Sequence, residues 1–258
     1  MPAVHEVREV ARRASCQNNL LQLGMGLHSY HHTHNVLPPG CVNSTGPVFD
    51  DGTSYNFGWI AQLLPYIDER TAYRKLDFQQ SVYSNRNLAV GSVRPNILLC
   101  PSSVVSRPMT SYAGCHHGTE TPIDVDRNGV LFLNSSVRFR DITDGRRHTI
   151  MIGETLSGFP FLPGTRGTLR NASFINGQKD KQAYWSSRFG EPQELEPYIV
   201  NGRQLDVKYY VGGFLSFHNW GANFCFADGS VELLSSSIDQ RVLHNLGNRM
   251  DGNLIENF

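Results

Sequence analysis

The chain has 258 residues, 40% of them hydrophobic, and its 23 basic and 23 acidic side chains leave a formal net charge of zero. That length suffices for one large domain with a sizeable core, or one domain carrying a long insertion. The balanced charge argues against a nucleic-acid footprint, the lack of a polybasic run argues against anionic lipid, and no apolar stretch reaches the roughly 18 residues of a membrane span.

A long helix is predicted from Pro2 to about His32. Pro2 suits a first helical turn, where its missing N–H costs nothing. Val4, Val7, Ala11 and Ala14 recur at helical spacing as a narrow apolar stripe among Glu6, Arg8, Glu9, Arg12 and Arg13. Leu20, Leu21, Leu23, Leu27 and Tyr30 cover a wider arc. The pattern predicts a projecting first half and a second half docked on a sheet. Leu37-Pro-Pro-Gly40 stops the helix, and a polar loop follows through Gly52.

Trp59 to Ile67 reads as a short helix broken near Pro65. Thereafter the runs 97–100, 129–133, 137–140, 149–152 and 207–211 have the length and β-branched or aromatic content of strands. Residues from about 157 to 205 are rich in Gly, Pro, Asn, Arg and Gln and read as an irregular insertion. Residues 222–227 and 230–234 flank Asp228-Gly229, a dipeptide that favours a type I′ hairpin with positive φ at both central positions. Ser237 and Gln240 match a capping box for a short final helix that Gly247 ends.

Several groups could carry chemistry. Asp124, Asp126 and Asn128 precede Gly129 as the opening of a calcium loop does, but position twelve is Ser135 rather than a bidentate Glu. An Asx-rich turn explains the same residues. Asp141, Asp144 and Glu154 form a weaker acidic group. His28, His31, His32 and His34 lie close together; His28 and His31 share a helix face while His31 and His32 do not, and two converging ligands are fewer than zinc needs. Surface or hydrogen-bonding roles are expected for them.

Cys225, between two phenylalanines, reads as a small buried hydrophobe. Cys16, Cys41, Cys100 and Cys115 could form up to two bridges in three connectivities, or stay as thiols. No Cys-x-x-Cys pair occurs, so no structural zinc site is expected. Gly-x-Ser-x-Gly, His-Glu-x-x-His and phosphate-loop signatures are also missing. Trp185, Tyr198, Tyr209, Tyr210, Phe217 and Trp220 could serve as platforms for a sugar or partner, or simply fill core.

His218 lies ten positions before Asp228-Gly229. With the blocks Cys16-Gln-Asn-Asn-Leu20, Leu37-Pro-Pro-Gly40, Leu99-Cys-Pro-Ser102, Ser111-Tyr-Ala-Gly114 and Asp141-Ile-Thr-Asp-Gly145 in order, it resembles the DUF1559 family. These are pilin-like proteins abundant in planctomycete bacteria, with a C-terminal H-X9-DG motif formed here by His218, Asp228 and Gly229. The resemblance implies an upstream basic leader and apolar helix cut by a prepilin peptidase. Residues 1–4 look like the far end of that helix, so a truncated chain is expected, the alternative being a paralogue that lost its anchor.

The expected fold is α+β and pilin-like: a long N-terminal helix, residues 1–34, packed on an antiparallel sheet within a β-rich head, residues 35–258, that carries a large loop-rich insertion. The expected role is non-enzymatic: an exported, membrane-anchored pseudopilin-like subunit at the cell surface or periplasm. It would assemble with itself or other pilin-like subunits through Val4, Val7, Ala11 and Ala14. The main alternative is a tethered module binding a glycan or other solute. Membrane contact would run only through the missing N-terminal segment, no nucleic acid is expected, and calcium is the one cofactor considered. His218 is expected to anchor the hairpin to a loop or to the N-terminal helix.

Overall fold

The computed structural model describes residues 2–93, 95–103, 109–156, 160–175, 198–200, 203–218 and 220–253, without the side chains of 2–5, 198–200, 203 and 205. Helix α1, Pro2–His34, leads the chain. Among the described residues four short helices follow: α2 Trp59–Leu63, α3 Arg70–Lys75, α4 Asn85–Gly91 and α5 Gln240–Leu246. The architecture is α+β.

A five-stranded sheet is built from β3 Tyr112–His117, β4 Ile150–Glu154, β5 Leu169–Asn171, β8 Gly221–Phe226 and β9 Val231–Ser235, in the order β5-β3-β4-β8-β9. Two small two-stranded sheets complete it: β1 Cys41–Val42 with β2 Phe57–Gly58, and β6 Tyr198–Val200 with β7 Arg203–Leu205. The main sheet is mixed rather than purely antiparallel, because β5 joins β3 in parallel.

All six residues of β8 are buried, so this central strand is covered on both faces. Ala222, Phe224 and Phe226 point into one core with Phe214, Leu243 and Leu246. Cys225 and Ala227 point the other way, into the larger core that holds Leu20, Leu23 and Leu27 of α1 with Trp59, Leu63, Tyr112 and Ile152. This is the period-two alternation of a strand used twice. A wholly apolar run results, with Asn223 as its polar exception.

Helix α1 divides where the spacing predicted. From Cys16 onward Cys16, Leu20, Leu23, Gly24, Gly26, Leu27 and Tyr30 are buried, while Val7, Val10, Ala11 and Ala14 are exposed. The docked half approaches the sheet closely: a Cβ on Gly24 would sit 2.5 Å from Cys225 Sγ. A glycine is therefore required for this helix to lie so near β8.

Four runs expected as strands are not strands. Residues 97–100 enter a 3-10 turn after Pro95, 137–140 turn because Asp141 accepts the Arg138 N–H at 2.8 Å, and 207–211 turn because Asp206 caps Lys208 N at 2.9 Å. In 129–133 the Val130 and Leu131 amides both bond to Cys115 O, a pattern no regular ladder allows. Residues 130–133, 137 and 139 are buried outside any regular strand, whereas 207–210 are exposed or half-buried, and an apolar or aromatic run does not by itself distinguish such turns from a ladder. Conversely β3, with Ala113, Gly114 and Cys115, is too poor in β-branched residues to announce itself.

Two turns also differ from expectation. At the β8–β9 hairpin only Gly229 has positive φ, at 92°. Gly229 N bonds back to Phe226 O at 2.9 Å, so Ala227 and Asp228 are the central pair and Gly229 supplies the left-handed residue that follows. At α5 the cap is Asp239, whose carboxylate accepts Arg241 N and Val242 N, rather than Ser237. Of the irregular insertion expected at 157–205, residues 160–175 instead supply β5 to the main sheet and bury Phe161, Leu162 and Leu169 in the core; most of the remainder lies outside the described residues, as do Trp185 and the side chains of Val4 and Tyr198.

Candidate functional site

The site is a buried polar cluster beneath the first turns of the docked half of α1. It begins with β4, whose run Ile150-Met-Ile-Gly-Glu154 is entirely buried, including the terminal carboxylate. Buried charge is tolerated only when it is hydrogen-bonded or paired. Glu154 meets that condition: Oε2 accepts Asn223 N at 2.9 Å and Ser216 Oγ at 2.8 Å, and Oε1 accepts Asn223 Nδ2 at 2.9 Å.

His218, the first residue of the H-X9-DG motif, is held just before β8 by its own amide on Ser216 Oγ at 3.0 Å. Its Nε2 lies 3.3 Å from Glu154 Oε1, and its Nδ1 lies 2.6 Å from Glu9 Oε1 on α1. Glu9 also receives Arg12 at 2.9 Å and Ser102 Oγ at 3.2 Å. Burial works against a charged imidazole at His218. The Glu154 and Glu9 carboxylates outweigh it and raise the pKa above the ordinary 6.5, so imidazolium donating from both nitrogens is favoured. Burial likewise works against charge at Glu9, but the bonds from His218, Arg12 and Ser102 lower its pKa overall.

Against this pair lies the disulfide Cys16–Cys100, with a Cα–Cα separation of 5.2 Å. Cys100 Sγ is 3.7 Å from His218 Nε2. Cys41, Cys115 and Cys225 are buried free thiols, so one bridge forms from the four cysteines considered. Neighbouring bonds fix α1 in the same register: Gln17 Nε2 to Asn223 Oδ1 at 3.1 Å, Asn19 Nδ2 to Leu99 O at 2.9 Å, and Tyr112 OH to Cys16 O at 3.4 Å.

The other end of the motif grips the same helix farther along. Asp228 Oδ1 accepts Ser230 N at 2.9 Å, shaping the turn, and the turn docks through Ala227 N to Thr149 O and Asp228 N to Arg146 O. A Cβ on Gly229 would lie 3.7 Å from His28 Nε2. His218 thus faces Glu9 while Asp228-Gly229 faces His28, 19 residues and about 28 Å apart along the helix. The motif meets α1 at two points, by the His218–Glu9 bond and by the close approach of Gly229 to His28.

The remaining candidate residues go elsewhere. Asp124 Oδ1 accepts the adjacent Val125 N at 2.8 Å, whereas Asn128 Oδ1 reaches across to Gly118 N at 2.8 Å. Asp126 sits in the left-handed region at φ 57°. Asp141 caps Arg138 N and Asp144 holds Gly252 N at 2.9 Å, so the second acidic group is split among three places. His28 and His31 stack on Phe139 with ring centroids at 4.6 and 4.1 Å, and His34 bonds Tyr66 OH at 3.0 Å. Trp220 is exposed, whereas Tyr209, Tyr210 and Phe217 are half-buried.

Sequence reasoning did not foresee Glu9 and Glu154 as the partners of His218. Glu9 looked like part of a solvated helix face. Glu154 did carry a signal, as the charged end of a wholly apolar strand, since such a residue is kept inside only by partners. Among the described residues, no helix is long and apolar enough to cross a membrane.

A family model described as "Protein of unknown function (DUF1559)" matches residues 5–241. No curated protein and no solved structure matches the chain. With its matched blocks running from α1 to the final helix, the chain belongs to the DUF1559 family.

Proposed function

We propose that the protein is a non-enzymatic, pseudopilin-like subunit that is exported to the cell surface or periplasm and assembles through α1. One observation carries this reading. Val7, Ala11, Ala14, Asn18, Leu21 and Met25 are spaced 4-3-4-3-4 along α1, and all six are exposed. Val7, Leu21 and Met25 are 69, 44 and 63% exposed. Such a seam is the heptad pattern by which helices pack on one another, and a single Asn within it sets register. The small Ala11 and Ala14 side chains permit close approach. Val4 continues the spacing toward the N-terminus.

The face opposite this seam is the one clamped to the sheet, so the head holds the helix while leaving the assembly face outward. Partners are then copies of this chain or related pilin-like subunits. The test places a prepilin-type leader and apolar segment ahead of residue 1 in a host with a prepilin peptidase. N-terminal sequencing and negative-stain microscopy should find processed protein in filaments, and Ala11→Glu with Ala14→Glu should abolish them without unfolding the head. Processed protein that stays dispersed would overturn assembly. The exposed Trp220 beside the motif would then favour the tethered binding module, tested by a glycan-array screen.

A further inference from the structure

We propose that Cys16, Cys100, Glu154 and His218 form a redox-gated metal centre, closed by the disulfide when oxidised and able to hold one divalent ion of the zinc class when reduced. Among the described residues these four bring their ligand atoms within 4.8 Å of one another. All are buried, Cys16 at 0, Cys100 at 4, Glu154 at 2 and His218 at 5% exposure. They come from four separate segments, which is why no Cys-x-x-Cys spacing betrays them.

The distances suit an ion. Zinc sits about 2.0–2.2 Å from N and O and about 2.3 Å from S, so tetrahedral ligands lie roughly 3.3–3.8 Å apart. His218 Nε2 is 3.3 Å from Glu154 Oε1 and 3.7 Å from Cys100 Sγ. The two sulfurs, bonded to each other here, would have to part on reduction.

The surroundings suit one as well. A metal-bound histidine usually donates its other ring N–H to a carboxylate, which fixes its orientation. Glu9 is placed 2.6 Å from Nδ1 to accept that bond. Glu154 is oriented by Asn223 and Ser216. Two thiolates, an imidazole and one carboxylate favour a borderline-soft ion over calcium or magnesium. Four protein ligands in a closed, buried site indicate a structural rather than catalytic centre.

The chemistry balances simply. An external dithiol supplies two electrons and two protons to the Cys16–Cys100 bond and leaves as its own disulfide. The ion then displaces the two thiol protons and the proton on His218 Nε2, and Glu154 joins as carboxylate. In either state α1 stays fastened to the head: by a covalent bond under oxidising conditions, and by the ion in a reducing compartment.

The test uses the whole chain produced under reducing conditions and purified without oxygen, with Co2+ as the probe. Reduced protein should take up one equivalent, with the visible d–d bands of tetrahedral cobalt and a thiolate charge-transfer band. Oxidised protein should take up none. Cys100→Ser and His218→Gln should lose the spectrum, Glu9→Gln should weaken binding about 10–100-fold, and Cys41→Ser should leave it unchanged. Circular dichroism checks that each variant is folded, and Zn2+ should raise the Tm of the reduced wild type but not of reduced Cys100→Ser. Folded, reduced protein that binds no stoichiometric Co2+, or a Cys100→Ser variant that binds like wild type, would overturn the proposal.

Discussion

The two halves of α1 are one continuous helix, yet they live in different environments. From Cys16 to Tyr30 the helix buries one residue per turn or more against β8 and α2, with Gly24 allowing contact at Cys225. From Glu6 to Ser15 its side chains are exposed or half-buried, and Glu9 reaches His218. Continuity of a helix therefore does not imply continuity of its role. Wide apolar coverage makes the second half part of the head's core, while a narrow stripe of small residues keeps the first half available. The disulfide and the His218 cluster mark the border between them.

The most severe way to break this border is to remove the bridge. The disulfide joins residues 84 apart, so Cys100→Ser should cost roughly 2–5 kcal/mol of stability in non-reducing denaturant titrations. Added reductant should then affect the wild type and leave the variant unmoved. If both respond alike, the bridge does not secure the docked half.

Packing sharpens the contrast next. Leu23 and Leu27 are fully buried, and truncating either to Ala should cost about 2–5 kcal/mol. Gly24→Ala should also destabilise, by about 1–3 kcal/mol, because the added methyl meets the buried Cys225 Sγ. Thermal or denaturant unfolding of each variant measures these directly.

Acid offers a third probe. His28, on the docked half, has its pKa lowered, first by burial and then by the Arg146 charge, against a bond with the Ala227 backbone. His117 in the sheet is lowered to about 4, mainly by burial. Both folded values lie below the ordinary 6.5, so the unfolded chain binds more protons below that pH. Their contribution is therefore complete above pH 6.5 and is lost as pH falls below it, for His117 toward about 4. His117→Asn should flatten the decline in stability between pH 6.5 and 4, read from denaturation midpoints. An unchanged slope would remove His117 as a source.

The smallest effect belongs to the projecting half. Val7→Ser should change folding stability by no more than about 0.5 kcal/mol, since Val7 is 69% exposed. A loss comparable to that of Leu27→Ala would show that the stripe is part of the head after all.

Much of this organisation was legible beforehand in particular residues. Leucines at 20, 23 and 27 announced the docked face, and Leu37-Pro-Pro-Gly40 announced the helix end. Ala222 to Ala227 and Ser230 to Leu234 announced the last hairpin. The strands wrongly expected at 129–133 and 207–211 show the limit: an apolar or aromatic run can be buried in turns, as 130–133 are, or stay half-buried, as Tyr209 and Tyr210 do. The site was legible only in part. His218 drew notice as a motif residue, but Glu9 and Glu154 lie 209 and 64 residues away from it in the chain.

What the sequence determined by itself follows from short-range physics. Side-chain spacing along α1 decides which face can be buried, Pro and Gly decide where helices stop, and Gly229 decides where a left-handed residue can close a turn. Other features depend on contacts between segments that no local rule relates, and the assembled fold set them. It chose Cys100 over Cys41 and Cys115 as the partner of Cys16, set β5 parallel to β3, and gathered two cysteines, a histidine and two glutamates around one point. The reason is that pairing of distant groups depends on the path of the whole chain, and a buried charge or thiol takes its properties from whatever that path brings beside it.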